Sequence, residues 1–316
     1  MARVSGADES AAFVGTTSVR GGRETLVRWM LFACAAVSVL ITLGIVATLL
    51  FDAVSFFLAI DPLRFFTGTE WAPAFSPRSY GVLPLVSGTL VVTVVSGLIA
   101  IPIGVAAAAY LSEYASDRTR SFLKPALEVL AGIPTVVYGF FALAYLTPAL
   151  AAVGVPVGTF NALSASIMVG IMIVPMVSSL SEDAMSAVPD SLRQAGYGLG
   201  ATKYEVTTGV VIPASLSGIL SSFILALSRA IGETMIVVVA MGMSPRMFDP
   251  TDPLASLTES GQTMTSAMVQ LVGSDIGGGS VGYKSMFAIG LTLFVMTFGM
   301  NVLSNWIASR YREEYE

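Results

Sequence analysis

Runs of about twenty or more predominantly apolar residues recur along this 316-residue chain, and no other feature restricts its fold so sharply. The hydrocarbon core of a bilayer is roughly 30 Å thick and is crossed by about 20 residues of α-helix. Inside it, every backbone N–H and C=O must find its partner within the protein. Six such segments can be drawn: Trp29–Phe51, Pro84–Leu111, Pro125–Leu150, Ala162–Leu180, Ala214–Met243 and Met286–Ile307. The composition agrees, with 54% hydrophobic and only 12% charged residues and a mean hydropathy of +0.78. The expected class is therefore all-α, a polytopic membrane protein with six transmembrane helices.

The first run follows a polar tail, residues 1–28, that carries Arg20, Arg23 and Arg28. It exceeds the length of a signal-peptide core and no small-residue cleavage site clearly ends it, so it reads as a retained span, 29–51. Lys and Arg set orientation in the membrane. With the N-terminus inside, the inner segments hold eleven of the sixteen Lys and Arg residues and the outer segments four, with Arg229 inside a span. Both termini are therefore expected in the cytoplasm, including a short tail at 309–316. The outer segment 52–83 is rich in Phe and is expected to include an interfacial helix. The span-forming core is expected over 84–308, with five helices, an inner loop at 181–213 and a polar outer loop at 244–284. That outer loop contains the turn-rich SDIGGGS, Ser274–Ser280. In the second and third spans, IPIG (Ile101–Gly104) and AGIPTVVYG (Ala131–Gly139) read as kinks that fit the bundle or as walls of a pathway.

Several chemistries are excluded by the residues themselves. The chain has no His, which removes His-based triads and HExxH metal sites, and it has no G-x-x-x-x-G-K-[ST] phosphate loop. Its single Cys34 cannot form an intrachain disulfide. A net charge of −5 argues against a nucleic-acid partner. No catalytic residue, no metal site and no cofactor bound by this chain is expected.

The inner loop reads SEDAMSAVPDSLRQAGYGLGATKYEVTTGVVIP from Ser181 to Pro213. Ser191-Leu192-Arg193-Gln194 and Thr202-Lys203-Tyr204-Glu205 look like the starts of two short helices, broken at Gly198-Leu199-Gly200. Small residues allow close approach of a second surface, and the glycines permit a sharp turn. The expected unit is a helix–turn–helix knob. Its spacing resembles the coupling loop of ABC importer membrane subunits, which reads E-A-A, three residues, G, nine residues, I-x-L-P. Here Gln194-Ala195-Gly196, Gly200 and Val210-Val211-Ile212-Pro213 keep the register. Gly196 in place of the second Ala departs from the pattern and lowers helix propensity by about 1 kcal/mol.

Further segments resemble one importer family. FFTGTEWAPAF (Phe65–Phe75), YGVLPLVSGTL (Tyr80–Leu90), LSEYA (Leu111–Ala115), AGIPTVVYGFF (Ala131–Phe141) and SRAIGETM (Ser228–Met235) are similar to the phosphate-importer permease family PstC. The sister family PstA shares the last motif, and FFTGTEW favours PstC. The resemblance implies the type I ABC importer permease fold and uptake of inorganic phosphate across the cytoplasmic membrane by alternating access. It also implies a PstA-like second permease subunit, two ATPase subunits that use ATP with magnesium, an external phosphate-binding protein and surrounding membrane lipid. The coupling residues would be Gln194, Ala195, Gly196, Gly200, Ile212 and Pro213.

Arg229 and Glu233 are four residues apart inside the fifth run, so on one continuous helix they would face the same way and pair. An Arg at membrane depth costs about 2.5–3.5 kcal/mol on insertion scales, and such charges face a bundle interior or a water-filled cavity. Two readings follow. The pair is either a buried salt bridge that fixes packing, or Arg229 supplies charge and planar donors to a passing oxyanion while Glu233 balances it in the empty pathway. In the PstC family the matching Arg and Glu are transport-related, which favours the pathway reading. A sulfate or molybdate permease is the nearest alternative. An ion-coupled secondary transporter would not need the knob, and a membrane enzyme would need a catalytic constellation that these spans lack.

Overall fold

The computed structural model describes Thr17–Arg310, with the side chains of residues 17–23, 305 and 308–310 left aside. The chain forms two units, residues 1–51 and 52–316. In the first, the described residues are one helix, α1 (Thr17–Phe57), whose last turns from Asp52 belong to the second unit. The expected span 29–51 is thus part of a longer helix. No Pro interrupts TSVRGGRETLVRWM, and its polar residues continue the helix beyond the apolar run.

The second unit continues with α2 (Pro62–Thr67), a two-stranded antiparallel hairpin of β1 (Trp71–Ala72) and β2 (Ser79–Tyr80), and α3 (Leu83–Ala109). The Phe-rich segment, expected to include an interfacial helix, contains the short helix α2 with Leu63 and Phe66 exposed, while Phe56, Phe65, Trp71 and Tyr80 turn inward and form one buried cluster with Leu85, Met264 and Ile289. Edge-on ring pairs such as Phe56–Phe65 and Phe56–Tyr80, both with centroids 5.5 Å apart, hold that cluster together.

Beyond a π-helical turn at Tyr110–Tyr114, α4 (Asp117–Gly132) precedes the third span rather than belonging to it. The span itself runs through α5 (Thr135–Phe141), a π-helical turn at Ala142–Leu146 and α6 (Thr147–Ala152). The expected start at Pro125 is therefore corrected to Thr135. Ile133 stands before Pro134, a position that disfavours helical backbone, and both residues are extended with ψ of 129° and 135°. Within α4 itself none of the sixteen residues is buried.

The fourth span, α7 (Ala162–Ser186), reaches six residues past the expected Leu180 and is the central element. It packs along α3 and against α11 (Leu216–Ile231), and its buried face from Ala162 to Val177 forms the main apolar core. Between them lie α8 (Asp190–Gly198), α9 (Lys203–Val206), a π-helical turn at Thr207–Val211 and α10 (Ile212–Ala214). The segment Lys203–Ala214 meets α11 at 69°. After α11 come α12 (Met235–Ala240), α13 (Pro253–Thr258), α14 (Met264–Val272) and α15 (Val281–Arg310). Among the described residues five helices are long and apolar enough to cross a membrane, and six if the bent pair counts as one.

The loop 244–284 was expected as a polar external connection. Its middle is instead built into the protein, because Met264, Ser266 and Ala267 of α14 are fully buried. Most of the polar groups it buries find partners, Gln262 Oε1 being an exception. Thr263 and Ser266 form a capping box, the Met264 N–H donates to Thr89 Oγ1 at 3.0 Å, and Gln262 Nε2 donates to Gln270 Oε1 at 2.7 Å.

Candidate pathway and coupling sites

The fifth apolar run is not one helix. Helix α11 ends at Ile231, Gly232 follows, and α12 begins at Met235. The break is held from both sides. Glu233 Oε1 accepts from the N–H groups of Met235 and Ile236 at 3.0 and 3.1 Å, and its carbonyl accepts from Thr265 Oγ1 at 2.8 Å. Irregular backbone at membrane depth persists where protein groups satisfy it in this way. Glu233 is 7% exposed, and its carboxylate caps the start of α12.

The expected Arg229–Glu233 pair is consequently absent: among the described residues neither side chain takes part in an ion pair. The i,i+4 geometry requires a continuous helix, and the break removes it. Arg229 lies in the last turn of α11, where the negative end of the helix dipole favours a cation. Its side chain is exposed, and Nη2 lies 4.0 Å from Met172 Sδ. Met172 is ten residues into α7, about 15 Å along it at 1.5 Å per residue, near half the thickness of the apolar core.

Arg229 opens onto a cavity of about 730 Å³ between α4, α7 and α11. Met172, Pro175 and Met176 form its wall near Arg229, and Lys124, Glu128, Glu182 and Asp183 line the end nearer the knob. Of these, Glu182 is fully buried and is paired with Arg120 and with Lys124, the latter at 2.5 Å. Sequence reading missed this trio, since Glu182 falls in what looked like loop; its place one turn before the end of α7 became visible only once that helix was seen to run to Ser186.

The knob has the expected helix–turn–helix form. The turn closes through Ala201 N–H to Gly196 O at 3.2 Å and Gly200 N–H to Tyr197 O at 2.9 Å, with Gly200 at φ +83°. A capping box between Thr202 and Glu205 starts α9. Gly196, the departure from the E-A-A pattern, has a local reason. A Cβ there would lie 2.9 Å from Val206 Cγ2, so the glycine allows α9 to pack against α8. Leu199 is 90% exposed at the tip, Tyr204 is 69% exposed, and Gln194 and Ala195 are exposed beside them. Ile212 and Pro213 form the bend into α11.

The LSEYA motif proves to hold this knob. Glu113 pairs with Arg193 at 3.1 Å, and Lys203 stands 5.1 Å from the centre of the Tyr114 ring. The Arg193 guanidinium also donates to the carbonyls of Met185 and Val188, which ties α8 to the end of α7. None of these positions had been assigned a role from sequence.

Comparison with known proteins places this geometry. Residues 100–313 match the family described as "Binding-protein-dependent transport system inner membrane component". The chain is 33% identical over 285 residues to the probable ABC transporter permease protein YqgH of Bacillus subtilis, covering 90% of each chain. It is 31% identical to the phosphate transport system permease protein PstC of Mesorhizobium japonicum, covering 95% of this chain and 98% of that one. Its fold is similar to that in the crystal structure of a bacterial ABC transporter involved in import of the acidic polysaccharide alginate. The TM-score there is 0.63 at 14% identity, covering 93% of this chain and all of that one.

Proposed function

The chain belongs to the family of binding-protein-dependent transport system inner membrane components, the permeases of ABC importers, and from that premise we propose that the ion it passes is inorganic phosphate. The observation that carries this reading is Arg229: a cation near mid-membrane, turned to a cavity and paired with no carboxylate among the described residues. The relatives named PstC, similar over most of this chain, support phosphate over other oxyanions.

In this reading an external phosphate-binding protein delivers the ion and a PstA-like subunit supplies the facing wall of the path. The guanidinium of Arg229 then replaces part of the water the anion sheds, through planar charge-assisted donors. Glu233 acts on the path indirectly, by fixing the break that ends α11 at the level of Arg229. Two separate ATPase subunits use ATP with magnesium, and the exposed tip around Leu199 and Tyr204 is the surface that meets them. The excess of Lys and Arg in the inner segments supports a position in the cytoplasmic membrane with both termini in the cytoplasm.

This assignment separates the two charges by experiment. Glu233→Gln keeps the Oε1 acceptor and is expected to retain assembly and most uptake. Glu233→Ala loses the cap, and loss of a cap costs about 0.5–2 kcal/mol of stability. Uptake by Glu233→Gln as low as that of an Arg229 variant would restore the charge-balancing role. The substrate is tested with the purified complex of permeases and ATPases. Phosphate-loaded binding protein is expected to stimulate ATP hydrolysis above the rate with unloaded protein, and equal rates would overturn the assignment.

A further inference from the structure

The wall of the Arg229 cavity formed by α4 is attached in an unusual way. None of its residues is fully buried, and the apolar side chain that packs against the main core is the half-buried Leu130, beside the joint to α5. At one end it joins α5 through Gly132 and the extended pair Ile133–Pro134, and Tyr138 Oη donates across that joint to the Leu130 carbonyl at 2.7 Å. Toward the other end it is fastened by charge. Arg120 and Lys124, one turn apart on α4 and about one-third exposed, both reach the fully buried Glu182 of α7. Ser186 Oγ donates to the same Oε1 at 3.2 Å. Glu182 also lines the cavity itself, between the level of Arg229 and the knob.

We propose that Glu182 is a positioning residue for transport, the latch of a hinged gate: α4 swings about Ile133–Pro134, and the Arg120–Glu182–Lys124 cluster holds it against α7. Three features combine to give this behaviour. A helix whose apolar side chains are at most half-buried, and whose contact with the main core is Leu130 next to the joint, swings there with little opening of the apolar core. A joint of two extended residues concentrates that motion at one place, and a buried carboxylate with two partly solvated cations gives two discrete arrangements, joined or parted. The latch also lies close to the knob. Arg193 of α8 binds the carbonyls of Met185 and Val188, immediately beyond Glu182 on the same chain segment. Displacement of the knob therefore pulls on the turn of α7 that carries the latch.

The inference rests on the permease reading, but its test needs no transported ion, so failure of the phosphate assignment would leave it standing. In the assembled complex with Cys34→Ser, spin labels are placed at Phe122→Cys on α4, 74% exposed, and Ala187→Cys at the end of α7, also exposed. The distance between them is read without nucleotide and with ATP trapped by vanadate. With Glu182 intact the nucleotide-free distribution is expected to be narrow. Glu182→Gln is expected to broaden it and shift it to longer separation in both states. The double variant Arg120→Gln/Lys124→Gln changes only partly exposed positions and is expected to do the same, which decides the matter if Glu182→Gln does not assemble. The Lys124→Glu/Glu182→Lys exchange is expected to narrow the distribution again. In vesicles, Glu182→Gln is expected to lower maximal uptake while the half-saturating concentration of binding protein stays unchanged. Distributions in the latch variants that overlay the unmodified protein in both nucleotide states would overturn the proposal.

Discussion

Arg229→Gln is expected to lower uptake roughly 10- to 100-fold while the complex still assembles with its ATPases. The factor follows from losing a charge-assisted hydrogen bond to the passing ion, about 1.5–3 kcal/mol. Assembly should survive because Arg229 holds nothing else in place: its nearest polar contact is the Met172 sulfur at 4.0 Å, and it belongs to no ion pair among the described residues. Gln matches the length of the stem but carries no charge. Arg229→Lys keeps the charge and loses the planar fork, so it is expected to fall between the two. Co-purification of the subunits together with uptake in vesicles separates the outcomes. Loss of assembly in Arg229→Gln would show that the side chain serves packing.

The second large effect is expected at the tip of the knob. Gly200 has φ +83°, in the left-handed region where an ordinary side chain costs roughly 1–2 kcal/mol. No atom lies within 4 Å of where its Cβ would be, so a larger residue there projects away from this chain. Gly200→Trp is therefore expected to leave the permease folded but to keep the knob from seating on its ATPase. Uptake should be lost while ATP hydrolysis continues without response to loaded binding protein. Gly200→Asn is the control, because Asn tolerates the left-handed region and adds little bulk. It is expected to remain coupled. Normal uptake by Gly200→Trp would remove the tip from the coupling surface.

Much of this was legible in the residues, for identifiable reasons. Apolar runs longer than a bilayer is thick announce themselves by length alone, and the knob was visible because Gly200, the Thr202–Glu205 capping box and the polar flanks are local signals. What was not legible depends on contacts between distant segments. The break at Gly232–Thr234 looked like continuous helix, because LSRAIGETMIVVVAMG lies in a long, mostly apolar run and Glu233 gives no sign in sequence that it will cap α12. Reading the run as one helix produced the Arg229–Glu233 pair, and the structure replaced it with a cap and a cation that has no ion pair among the described residues. Helix α14 was hidden in a loop for the complementary reason. Thr263, Thr265 and Ser266 read as polar, yet Thr265 finds a partner at the break, Thr263 and Ser266 bond each other in the cap, and the Met264 N–H between them bonds Thr89 of α3. The Glu182 trio was missed because Glu182 lies 58 residues from Lys124 and 62 from Arg120 in the chain.

In the proposed function Glu233 and Arg229 have different tasks, one holding the backbone and the other facing the ion. The proposed function requires that phosphate cross the membrane at Arg229. The direct measurement is ATP-dependent accumulation of labelled phosphate in vesicles containing this chain, its permease partner and the ATPases, with the binding protein supplied outside. Accumulation that requires ATP, persists in excess sulfate and collapses in Arg229→Gln is the expected result. No accumulation, equal competition by sulfate, or full uptake by Arg229→Gln would contradict it.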